Sequence, residues 1–165
     1  MNPIAWLELR VPGFAALSDE ERTAIQQFAL LWSLFEGRPL RTEASARQII
    51  AIIHDGVSSG QVRMEPYEGC LEYFRNRYFQ AGAFTHHFHQ LNLRGNDNSP
   101  LVRAVLSREN NDPADCISAI LIVIYRFRNN LFHGHKWEYE LAGQLANFTH
   151  ANDALMAAYD QLQGQ

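Results

Sequence analysis

Apolar residues recur along this chain at helical spacing, in blocks separated by glycine, proline and short polar runs. The first clear block opens at Ser18-Asp19-Glu20-Glu21, where Ser18 can cap a helix and Glu21 can reach back to the cap. Ile25, Phe28, Ala29, Leu31, Trp32 and Phe35 then form one stripe, which stops at Gly37-Arg38-Pro39. Thr42 is placed to cap a second helix with Ala46, Ile49, Ile50 and Ile53 as its buried side, ending near His54-Asp55-Gly56. Residues 57–60 read as a loop. Leu71, Phe74 and Tyr78 predict a third helix from about Tyr67 to Phe79, interrupted at Gly82, and Phe84 to Leu93 a short fourth. The polar run 94–100 is a loop, followed by a short helical piece from Leu101 to Leu106.

Asp112-Pro113 is the next start signal, an N-cap followed by proline at the first helical position. Ile117, Ile120, Leu121, Ile124, Phe127 and Leu131 carry an apolar stripe from there to Gly134. The β-branched run 120–124 would suit a strand by propensity. The capped start and the spacing continued through Leu131 favour helix. A last helix is predicted from about Glu140 to Leu162. No internal repeat, low-complexity block or dividing linker interrupts this order, so residues 1–165 form one all-α domain, an up-and-down helical bundle.

Composition narrows the picture. Hydrophobic residues are 47% of the 165 and aromatics 12%, enough for a core that needs neither disulfide nor structural metal. Cys70 and Cys116 form no C-x-x-C pair and read as core thiols. With no secretory leader evident at Met1 to Trp6, they point to a cytoplasmic protein. No apolar run of about 18 residues predicts a membrane span. The net charge of −4 speaks against bulk coating of nucleic acid. Yet of 14 basic residues only Lys136 is a lysine, and arginine is the better fork for phosphate.

Candidate chemistry gathers near the end of the 113–134 helix. Arg126, Asn129, Asn130 and His133 fall at i, i+3, i+4 and i+7 and so share one polar face. Arg128 stands roughly 140° from His133 on an ideal helix and closer to His135. Histidine can take a proton from a ribose 2′-hydroxyl or give one to the leaving oxygen. Arginine can stabilise charge on phosphoryl oxygens, and asparagine can orient either. Spacing alone equally suits a solvated face whose histidine complements the helix dipole.

The string Arg128-Asn129-Asn130-Leu131-Phe132-His133-Gly134 resembles the motif of HEPN domains: arginine, a polar residue, three further positions, then histidine. It looks most like the Apea-type branch. Leu31-Trp32-Ser33-Leu34-Phe35-Glu36 is similar, less specifically, to the first helix of such proteins. The resemblance implies a helical bundle that homodimerises and cleaves RNA as a metal-independent hydrolase, in toxin–antitoxin, phage-defence or RNA-processing systems. It makes Arg128 and His133 the catalytic pair, with Asn129 the adjacent polar residue. Arg126, Asn130, His135 and Glu36 are the further candidates for RNA contact or support, Glu36 as a partner of the arginine. No cofactor and no metal is implied. An antitoxin or nucleotidyltransferase partner fits the family. Nucleotidyltransferase-controlled toxins often carry a modifiable tyrosine two positions after the histidine, where this chain has His135. The alternative is a family member that has lost catalysis and binds a partner protein or nucleotide.

Other clusters are weaker. His86-His87-Phe88-His89 is rich in imidazole but lacks a completing Cys or carboxylate pattern. A metal site built from His86, His89, His133 and His135 is the remote reading. Arg75-Asn76-Arg77 reads as a small basic patch, and Arg94, Arg103 and Arg108 flank the polar loop.

Overall fold

The computed structural model describes residues 2–132 and 142–163, and they form an all-α bundle. The helices are α1 (Pro3–Arg10), α2 (Asp19–Gly37), α3 (Ala46–Ser58), α4 (Glu68–Tyr78), α5 (His86–His89), α6 (Ser99–Leu106), α7 (Pro113–Phe132) and α8 (Leu145–Leu162). A two-stranded hairpin, β1 (Phe79–Gln80) and β2 (Ala83–Phe84), separates α4 from α5. No helix among the described residues is long and apolar enough to cross a membrane.

The two strongest start signals act as the sequence predicts. Ser18 accepts from the Glu21 amide while the Glu21 carboxylate accepts from the Ser18 amide, which satisfies two orphan donors at the head of α2. Asp112 accepts from the Asp115 amide at the head of α7.

Several boundaries move. Ser45, not Thr42, caps α3 by accepting from the Gln48 amide. Thr42 instead sits in the left-handed region with φ 65° and bonds the Arg41 carbonyl. Gly56 does not stop α3, which runs on to Ser58. A Cβ on Gly56 would lie 2.5 Å from Val62 Cγ2, so this glycine serves close packing inside the helix. Ala81 and Gly82, both at positive φ, turn the chain at the expected interruption, but Phe84 joins a strand and the helix expected from Phe84 to Leu93 shortens to His86–His89. Phe79 and Phe84 pair across that hairpin with ring centroids 5.0 Å apart. Helix α6 begins at Ser99, inside the predicted loop, because Asn98 accepts from the Leu101 amide. Helix α8 begins at Leu145, after a turn with Gly143 at φ 75°. Helix α1 was not foreseen; Asn2 caps it, and none of its residues is buried.

Helix α7 is the centre of the core. Residues 116–124 are all buried, so this stretch has no solvated side. Helix α3 packs along it, and Phe74 of α4 meets Phe127 edge-on at 5.7 Å. Helices α2 and α8 pair along their lengths in the same order, through Glu21 with Gly143, Phe28 with Phe148, and Arg38 with Tyr159. Both cysteines are buried and free.

Candidate functional site at the end of α7

Helix α7 delivers two arginines to its last turns, and the bundle treats them differently. Arg126 is 3% exposed. Its Nε donates to the Leu91 carbonyl at 3.1 Å, its NH2 to Asn130 Oδ1 at 3.4 Å, and its NH1 lies 3.4 Å from Asp97 Oδ2. Asn130 in turn donates to the Leu91 and Gln90 carbonyls. Asp97, itself buried, also accepts from the Arg94 amide at 2.7 Å. Burial pulls the Arg126 guanidinium below its ordinary value, and the Asp97 charge opposes that shift.

This corrects the expectation of a solvated polar face. Arg126, Asn129 and Asn130 are all buried. Arg126 and Asn130 hold residues 90–97 against α7 and present no open surface to a ligand. The continuous apolar run of α7 is the signal that could have shown this. A helix buried all round must place its polar groups against partners.

Arg128 lies at the rim, with 29% of its side chain exposed. Its NH1 donates to Asn129 Oδ1 at 3.0 Å and its NH2 lies 3.6 Å from Glu36 Oε2. The same Glu36 oxygen accepts from Trp32 Nε1 at 2.7 Å, and the Trp32 ring stands 5.8 Å from that of Tyr125. The Phe132 ring, 59% exposed, lies 5.5 Å from the Arg128 guanidinium carbon. Arg128 Nε is buried and makes no hydrogen bond among the described residues. A guanidinium has five donors, so this one is oriented but far from saturated.

Of the sequence-predicted residues, Arg128, Asn129 and Glu36 thus come together. His133 and His135 lie outside the described residues, as does Gly134. The histidine cluster forms the single turn α5, where the His86 and His87 rings lie 3.8 Å apart and Arg77 NH2 is 3.5 Å from His87 Nδ1. Among the described residues no group of three or more His, Cys, Asp or Glu is arranged to hold a metal ion. Arg75 is no surface patch. It is buried and donates to the Val105 and Asn110 carbonyls and to Asn111 Oδ1, tying α4 to the start of α7. Arg103 covers the Phe84 ring at 4.2 Å, and Arg108 pairs with Glu72 at 2.8 Å. Asp97 was missed because it sits in a polar run that reads as solvent-exposed loop.

No protein-family model, no curated protein and no solved structure matches this chain.

Proposed function

We propose that this protein is a HEPN-type endoribonuclease that cleaves RNA without a metal, acting as a homodimer in a toxin or defence role. The observation that carries the reading is Arg128: an oriented, partly exposed guanidinium at the rim, inside the string Arg128 to Gly134. In the reaction the ribose 2′-oxygen forms a bond to phosphorus and the bond from phosphorus to the 5′-oxygen breaks. His133 takes the 2′-hydroxyl proton, and a protonated His133, its own or that of the second copy, supplies one to the departing oxygen. Arg128 stabilises the charge on the non-bridging oxygens. Asn129 holds one side of the Arg128 fork and acts as a positioning residue. The products carry 2′,3′-cyclic phosphate and 5′-hydroxyl ends.

The test is cleavage of end-labelled RNA in EDTA by wild type and His133→Ala. Wild type should cleave to cyclic-phosphate ends and the variant should fall to background. Equal cleavage by both would sink the mechanism.

A second reading, a non-catalytic module that binds a partner protein or nucleotide, draws support from Glu36. Its carboxylate already offsets the Arg128 charge, in a chain of net charge −4. Inactivity of both proteins on several RNAs, with a stoichiometric partner co-purifying from native lysate, would favour it.

A further inference from the structure

Beyond the C-terminus of α2 the chain makes a tight return. The Arg38 amide bonds the Leu34 carbonyl, the Leu40 amide bonds that of Phe35, and the Thr42 amide bonds that of Glu36 at 2.9 Å. Pro39 and Leu40 turn inward and are buried, whereas Arg38 and Arg41 stay exposed. Two successive non-glycine residues, Arg41 at φ 50° and Thr42 at φ 65°, take the left-handed conformation to do this. That conformation is disfavoured for residues with a Cβ and recurs where geometry serves function.

Arg38, Pro39 and Arg41 line a cleft of about 160 Å³ against Leu162 and Gln163 at the end of α8. Arg38 NH1 donates to the Tyr159 hydroxyl at 3.2 Å, which fixes its direction. Among the described residues neither guanidinium meets a carboxylate within 4 Å, although Glu43 and Asp160 are carried by the same segments. Complementing the α2 dipole accounts for one arginine at Arg38, its C-cap, but not for a second at Arg41. The loop that carries Arg41 is fastened to the backbone of Glu36, whose side chain holds Arg128.

We propose that the Arg38–Arg41 cleft is a second phosphate station for the RNA strand, gripping a backbone phosphate other than the one held at Arg128. This rests on the RNA-cleaving reading above and adds a binding role that the Arg128 motif does not supply. Two exposed forks on one turn, neither facing a carboxylate among the described residues, suit a phosphodiester, which offers two free oxygens to bidentate donors. The cleft also explains how a chain of net negative charge can engage RNA locally rather than through a broad basic surface.

The experiment measures binding of single-stranded RNA to the His133→Ala protein as salt is raised, with and without Arg38→Gln/Arg41→Gln. Each phosphate contact on a single strand contributes about 0.7 to the slope of log affinity against log salt. The double variant should bind roughly tenfold more weakly at low salt, and its slope should shrink by about 0.7 to 1.4. The Arg41 side chain makes no hydrogen bond or ion pair among the described residues, so Arg41→Gln alone should keep the thermal midpoint of its parent while showing part of the loss. Identical affinity and slope in the double variant would overturn the proposal, whatever the cleavage assay gives. So would a parent protein that binds no RNA, or adenosine monophosphate competing as well as unlabelled RNA, which would assign the cleft to a free nucleotide. A slope change in a protein that never cleaves RNA would keep the station and discard the nuclease.

Discussion

Arg126 and Arg128 lie two positions apart on α7, roughly 200° of helical turn. Arg126 faces inward, where the Leu91 carbonyl, an asparagine and a buried aspartate take up its donors. Arg128 faces the rim, held by one asparagine and a 3.6 Å carboxylate, with 29% of its side chain exposed. The same side chain therefore does two jobs on one helix. The inner one converts charge into a fixed loop, and the outer one keeps charge available. Saturation of the donors, more than the presence of an arginine, separates the structural station from the chemical one.

The comparison breaks most visibly on the inner side. Asp97→Ala leaves Arg126 buried without its counter-ion, which should cost about 3–5 kcal/mol and loosen residues 90–98. Urea denaturation of the variant reads this directly, and an unchanged midpoint would show that the buried pair is not holding the loop.

A smaller effect should come from the protons that the interior retains. Burial raises the Cys70 thiol and the Tyr67 and Tyr78 hydroxyls above their ordinary values. In the unfolded chain a thiol ionises near about pH 8.5 and a phenol near about 10. Above those values the folded state binds more protons than the unfolded one, so stability is full below them and falls as pH rises. The slope should approach about 1.4 kcal/mol per pH unit for each group. Denaturation midpoints at pH 7, 9 and 10 should decline in that order, and Cys70 should ignore thiol reagents until the chain unfolds.

The smallest change in stability belongs to the outer side. Arg128→Ala breaks one partly exposed pair and should cost less than about 1 kcal/mol in the same urea titration. Under the proposed function it should nonetheless lower RNA cleavage by about 10²-fold or more. A large loss of stability instead would make Arg128 a second Arg126.

Much of this architecture was legible in the residues, and the failures share a cause. Ser18–Glu21 and Asp112–Pro113 act through neighbours three residues apart, so local spacing suffices to read them. Thr42 and Ser45 compete for the same cap, and the choice falls to backbone dihedrals that a return loop dictates. Helix α1 buries no residue, so it carries no stripe for periodicity to detect. The hairpin at 79–84 has two residues per strand, too few for an alternating pattern. Arg75, Arg126, Asn130 and Asp97 are the costliest misreadings at the site. Each is polar by type and buried by a partner distant in sequence, as with Arg126 and Leu91, 35 positions apart. The reading of Glu36 as an arginine's neighbour found its contact because α2 and α7 meet where both carry aromatic residues, Trp32 against Tyr125.

The pairing of α2 with α8 has a kinetic consequence. Their contacts join residues 121, 122 and 128 positions apart. The flank of α2 that faces α8, with Phe28 against Phe148, therefore finds its cover only when the segment through Leu162 has been made. Until then the growing chain carries an uncovered apolar flank, and the entropy of closing so long a loop must be met before these contacts reward it. Synthesis halted before α8 would leave a sticky intermediate rather than a smaller bundle, so this fold assembles late and nearly all at once.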